Sequence, residues 1–85
     1  MTRFQVRVRV MPRKGILDPQ GQAVANALTA LGFEGVGEAR VGRTIELALE
    51  AGDAAAAREA AGRMCERLLA NPVTEDFSLD RVEPA

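Results

Sequence analysis

The sequence predicts a two-layer α+β fold, β-α-β-α-β, with two helices on one face of a small sheet and a long bent strand mid-chain. Three observations carry this. Residues 3–11 alternate Phe4, Val6, Val8 and Val10 against Arg3, Gln5, Arg7 and Arg9, the period of a half-buried strand. Two segments, opening at Asp18-Pro19 and at Asp53, space their apolar residues at helical intervals behind a capping aspartate. Between them, period-2 alternation returns from Ala39 to Ala51. With 85 residues and no linker or low-complexity tract, the chain reads as one domain, 1–85.

The first strand presents arginines on its wet face, which discourages edge-to-edge aggregation. A loop, Met11-Pro12-Arg13-Lys14-Gly15-Ile16-Leu17, follows. Asp18 is then the N-cap of helix one, with Pro19 at the first helical position, where a missing N–H costs nothing. Val24, Ala27, Leu28 and Leu31 form its buried stripe, with Gln22, Asn26 and Thr29 turned outward, and Gly32 ends it at C′, with Phe33 packing back on Leu28 in a Schellman motif.

In the middle segment Ala39, Val41, Ile45, Leu47 and Leu49 share one parity with Arg43, while Glu38, Arg40, Gly42, Thr44, Glu46, Ala48 and Glu50 share the other. A hairpin turning at Gly42-Arg43 would pair Val41 with Thr44 and Ala39 with Glu46, mixing both faces. A single strand of about 14 residues, bent or bulged at Gly42, keeps the faces apart. At about 3.3 Å per residue it would run about 46 Å, beyond its own sheet. A projecting edge of that kind pairs with something, so the expectation is a homo-oligomer, most simply a dimer joined around Val41–Leu49.

Helix two starts at Asp53. Ala57, Ala61, Met64, Cys65, Leu68 and Leu69 make its apolar face, and Glu59 and Arg63 form an i,i+4 pair on the other side. It stops before Pro72. The last strand, about 74–82, carries Phe77 and Leu79 on one face, with Val82 out of phase, which predicts a bulge or fraying.

Composition narrows function. There is no histidine and a single cysteine, so no imidazole is present to act as acid, base or nucleophile activator, and zinc or copper sites lack their usual donors. The net charge of −1 divides into +4 over residues 1–43 (seven basic, three acidic) and −5 over 44–85 (four basic, nine acidic). Neither that balance nor the lack of exposed strand aromatics fits nucleic-acid binding. No apolar run reaches membrane-spanning length and the N-terminus lacks signal-peptide character. One unpaired cysteine fits a reducing cytoplasm.

Gly37-Glu-Ala-Arg-Val-Gly42-Arg43-Thr44 mimics a phosphate-binding loop with arginine for lysine, but such a loop must open a helix and this one runs into a strand. Cys65, on an apolar helix face without a base, reads as core. Glu75-Asp76 and Glu46/Glu50 read as charged strand edges. The candidates for partner contact are Arg13, Lys14 and Gly15, in a loop beside a capped helix, together with Arg43. No catalytic, cofactor-binding or metal-ligating residue emerges.

The runs Met11–Leu28, Leu31-Gly-Phe33, Val41–Leu47 and Cys65–Asp76 resemble the PurS family, the small subunit of bacterial phosphoribosylformylglycinamidine synthase. Leu17-Asp-Pro-Gln-Gly21 together with Leu68-Leu-Ala-Asn-Pro-Val73 is the specific combination, and Arg43 stands where the family more often has lysine. The resemblance spans essentially the whole chain. It implies a non-catalytic, dimeric cytoplasmic subunit of de novo purine biosynthesis. Such a subunit bridges the glutaminase PurQ and the synthetase PurL and assists ammonia transfer while the complex converts formylglycinamide ribonucleotide to formylglycinamidine ribonucleotide. ATP and magnesium would belong to PurL, with no cofactor on this chain. A small regulatory module of the ACT type, binding an amino acid, is the alternative that shares the architecture.

Overall fold

The computed structural model describes all 85 residues. Its elements are β1 (Thr2–Pro12), α1 (Pro19–Ala30), β2 (Arg43–Ala51), α2 (Ala54–Met64) and β3 (Glu75–Pro84). β1 is the middle strand of an antiparallel sheet ordered β2-β1-β3. Its alternation is the cleanest in the chain because it has a neighbour on each side. Val6, Val8 and Val10 are fully buried and Phe4 nearly so. Across the pairs, Phe4, Val6 and Val8 face Leu49, Leu47 and Ile45 on β2, while Val10, Val8 and Val6 face Phe77, Leu79 and Val82 on β3. Burial of each valine contributes roughly 1.5–3 kcal/mol.

The odd phase of Val82 has a cause. The β1–β3 register slips between Arg7, opposite Arg81, and Val8, opposite Leu79. Asp80 is therefore the extra residue of a bulge, and Val82 returns to the core side, where it packs half-buried. On the opposite face the arginines are matched by acids: Arg7 with Glu46 at 3.4 Å, Arg9 with Asp80 at 3.5 Å and Arg81 with Glu83 at 3.7 Å. Exposed pairs of this sort add little stability, but they offset the charge of two of the three arginines on the wet face of β1.

α2 lies on the apolar face through small residues. Ala57, Ala61 and Cys65, four apart, are completely buried against the sheet. Asp53 caps it, accepting from the Ala56 N–H at 2.8 Å, and Glu59 pairs with Arg63 at 2.8 Å. After Met64 the helix widens into a π-helical turn, Cys65–Leu69, closed by the Ala70 N–H donating to the Cys65 carbonyl at 3.0 Å. The wider turn hands the inward position from Leu68 to Leu69. Leu68, expected on the buried face, is 82% exposed, and Met64 is exposed as well.

Two further expectations are corrected. β2 is a nine-residue strand starting at Arg43, neither a 14-residue strand nor a hairpin, because residues 37–42 make no ladder bonds to β1 and belong to the return from α1. Gly42 marks the join: a Cβ there would collide with the Val10 carbonyl and the Met11 sulfur. The α+β class and element order stand, but the two helices do not share the sheet. α2 contacts all three strands, whereas α1 has no comparable contact with any of them. Of the ten buried residues, only Gly21 falls between positions 11 and 50. The radius of gyration is 16.4 Å, against about 12 Å for a compact chain of this length. Residues 13–42 form an arm that leaves the body.

Candidate functional site

The arm is fastened at its root by one carboxylate. Asp18 Oδ1 accepts the Gly21 N–H at 3.1 Å, which caps α1, and Oδ2 accepts the Val41 N–H at 2.9 Å. The same side chain thus starts the helix and grips the chain coming back from it. These bonds, Val41 first and Gly21 second, hold the Asp18 carboxyl below its usual range. Gly21 is buried because the Ala39 carbonyl occupies the space a Cβ would need, and the Arg40 guanidinium donates to the Pro12 carbonyl. At its far end α1 closes with a Schellman motif. The Phe33 N–H donates to Leu28 O at 3.2 Å and the Gly32 N–H to Thr29 O at 3.0 Å, with Gly32 at φ +94°.

What the arm displays is apolar. Val24 is 43% exposed, Leu31 74%, Phe33 58% and Leu17 78%. The cleft between α1 and the return segment, about 550 Å³, is mixed: α1 contributes Gln22, Asn26 and Thr29, and the flanking segments contribute Ile16, Leu17 and Val36. Helix one therefore corrects its expected orientation: Gln22, Asn26 and Thr29 turn toward its own chain, and Val24 and Leu31 of the stripe expected to be buried are exposed, because the sheet is not beside them.

A second constellation lies where α2 descends to β3. Arg43 forms a fork on Glu75, Nη1 to Oε2 at 2.6 Å and Nη2 to Oε1 at 3.0 Å, and Nη2 also donates to the Leu69 carbonyl at 2.6 Å. Glu75 Oε1 accepts the Asn71 N–H at 2.8 Å, and Asn71 Oδ1 accepts the Val73 N–H at 2.9 Å. Arg13 donates to the Pro72 carbonyl at 2.8 Å and pairs with Asp76 at 3.2 Å. The Arg43 fork, followed by the Asn71 N–H, holds the Glu75 carboxyl below its usual range, and Glu75 in turn raises Arg43. Bidentate, charge-assisted bonds of this type fix geometry as well as adding strength.

The four partner-contact candidates therefore divide. Arg13 and Arg43 are brought together as the two posts of the 69–76 turn. Lys14 and Gly15 sit exposed at the root of the arm, Gly15 in the left-handed region at φ +84°. Sequence reasoning gave Asp18 a single role and missed both its grip on Val41 and the fork on Glu75. Asn71-Pro72 before a carboxylate is a turn signal, but nothing local names Arg43 as its partner.

Neither constellation is equipped for covalent chemistry. Cys65 is buried, and burial, with a smaller push from Glu66, raises its thiol pKa. Thr44 of the loop-like motif lies in β2, so the glycine run leads into a strand and opens no helix of its own. No group of three or more Cys, Asp or Glu is arranged to hold a metal ion, and no helix is long and apolar enough to cross a membrane. The arrangement presents surfaces.

The model of the PurS family, phosphoribosylformylglycinamidine (FGAM) synthase, matches residues 5–83. The PurS subunit of that synthase from Synechocystis sp. is 43% identical over 77 residues, covering 91% of this chain and 77% of the relative. The Mycobacterium leprae PurS subunit is 46% identical over 74 residues, covering 87% and 90%. Among solved structures, Thermus thermophilus PurS superposes with a TM-score of 0.83 at 41% identity, covering 98% of both chains. A chain of the Thermotoga maritima PurLQS structure superposes with a TM-score of 0.85 at 32% identity, covering 96% of this chain and 99% of that one.

Proposed function

This chain belongs to the PurS family, and from that premise we propose that it is the non-catalytic subunit of phosphoribosylformylglycinamidine synthase. It bridges the glutaminase PurQ and the synthetase PurL in cytoplasmic purine biosynthesis and keeps ammonia transfer in register. The observation that carries this is the arm. A helix with a hydrophobic stripe exposed to solvent stands off a sheet whose β2 side, Ile45, Leu47 and Leu49, is only partly covered. The two deficits are complementary, which favours self-association on the β2 side, with α1 of one copy lying beside α2 of the other. A bridging assembly needs rigid surfaces rather than reactive groups, and the Thermotoga maritima relative is part of a PurLQS structure. ATP and magnesium reside on the large subunit, and this chain holds no cofactor. Lys14 and Gly15, at the arm root, are its contact candidates, with Arg13 and Arg43 acting through the turn they support.

Reconstitution tests the reading. Omitting this chain from a mixture of PurL and PurQ abolishes glutamine-dependent synthesis and leaves some synthesis from added ammonia. The chain alone neither hydrolyses glutamine nor turns over ATP. Glutamine-dependent synthesis at full rate without it would end the bridging role.

A further inference from the structure

The arm meets the body through two necks, Pro12-Arg13 going out and Gly42-Arg43 coming back. The necks are bound to each other, since Asp18 accepts the Val41 N–H and Arg40 donates to the Pro12 carbonyl. Those bonds make residues 13–42 one lever without fixing the angle at which it stands. α1 does not rest on the sheet, and a cleft of about 350 Å³ lies between Ile16, Leu17 and Gln20 of the arm and Thr74 and Glu75 of the body. Two arginines, one on each neck, cross to the body and end on the same turn. Arg43 shares the parity of Ile45 and Leu47, so its side chain leaves the sheet on the face that α2 covers. There it reaches Glu75 and the Leu69 carbonyl. Arg13 extends the β1–β3 ladder, its N–H donating to the Thr74 carbonyl at 2.9 Å, and its guanidinium spans the turn from the Pro72 carbonyl to Asp76. The turn is closed internally by Glu75 and Asn71, so both necks are referred to one stiff piece of the body.

We propose that the 69–76 turn is a yoke that fixes the attitude of the arm, with Arg13 and Arg43 as its positioning residues, so that α1 meets a second copy already oriented. Exposed ion pairs add little to the stability of a fold, but a forked arginine sets direction as well as distance. An arm free to swing would have to be ordered on association, and a preorganised one avoids that cost. The two sets of bonds therefore have separate tasks. Those of Asp18 and Arg40 hold the arm together, and those of Arg13 and Arg43 aim it. The consequence for assembly rests on the self-association described above, whereas the yoke is a property of the single chain.

The test measures the angle directly. Nitroxides at Ala30→Cys and Arg58→Cys, both exposed positions, report the distance from arm to body by dipolar spectroscopy. The full-length chain also carries Cys65→Ala, and Val24→Glu with Leu31→Glu so that no second copy steadies the arm. This background should give one narrow distance, and adding Arg43→Lys, which keeps a charged contact with Glu75, should leave it narrow. Adding Arg13→Gln with Arg43→Gln should broaden it, while amide exchange within α1 stays as before because the Asp18 bonds are intact. Glu75→Gln, which acts from the other side of the fork, should broaden it too. In the otherwise unaltered chain, Arg13→Gln with Arg43→Gln should weaken self-association roughly tenfold, read by light scattering on dilution. A distance that is broad before the arginines are changed, or still narrow after, would overturn the yoke. Self-association of unchanged strength beside a broadened distance would overturn its role in presenting α1. If the yoke behaves as expected and glutamine-dependent synthesis runs at full rate without the chain, the bridging reading alone has failed.

Discussion

α1 and α2 are helices of twelve and eleven residues, each opened by an aspartate that accepts an N–H three residues on. One is bound to the sheet and the other stands away from it. The difference lies in what each helix presents. α2 offers alanines and a cysteine, small enough for the helix axis to approach a sheet already filled by valine and leucine. α1 carries Val24, Leu28 and Leu31, larger groups that need room the monomer does not have beside them, and its connections at both ends are tied at the arm root. Capping makes a helix; only a matching surface docks it. The body is stabilised by apolar burial around β1, while the arm is held by polar bonds to Asp18, Arg40 and the glycines that admit close approach.

That contrast breaks most sharply at Val8, which is completely buried between β2 and β3. Val8→Asp would place an unpaired charge in the centre of the body and should abolish folding, read as loss of the cooperative melt. A cooperative transition near the parent temperature would show that the sheet is not the body's main support. Next in size comes the arm. Val24→Glu with Leu31→Glu puts charge on a face that is largely open to solvent within one chain, so the secondary structure should persist while the particle falls toward the 9.1 kDa of a single chain. An unchanged mass by light scattering would mean the stripe is not an interface.

The smallest effect is local and pH-dependent. Asp18 and Glu75 have folded-state pKa values below their ordinary ones, so their contributions are present above the unfolded values near about pH 4 and disappear as pH falls through the lower folded values. Acid should therefore loosen the arm root and the 69–76 turn before the valine core, seen as faster amide exchange in α1 and at Asn71 with β1 still protected. Asp18→Asn, which can still cap but carries no charge, should remove that dependence for α1 only. If β1 and α1 lost protection together, arm and body would be one cooperative unit.

The sequence by itself determined the order of the elements and the caps of its helices. Asp18-Pro19 and Asp53 start helices, Gly32 stops one, the alternation of residues 4–10 is the buried strand, and the phase slip before Val82 is the bulge. All of these are read over a few neighbouring residues, because capping and side-chain alternation are local physics. Tertiary structure alone decided which helix meets the sheet, where β2 begins, that Leu68 turns outward and that Arg43 closes on Glu75. A hydrophobic period states that a face requires cover without stating what covers it, so α1 and α2 look alike until the sheet's free area is known. The Arg43–Glu75 fork joins positions 32 apart in sequence, and Gly42 is required by a strand end thirty residues upstream of it. Contacts of that range depend on how β1, β2 and β3 are laid side by side, and no short stretch of the chain encodes them.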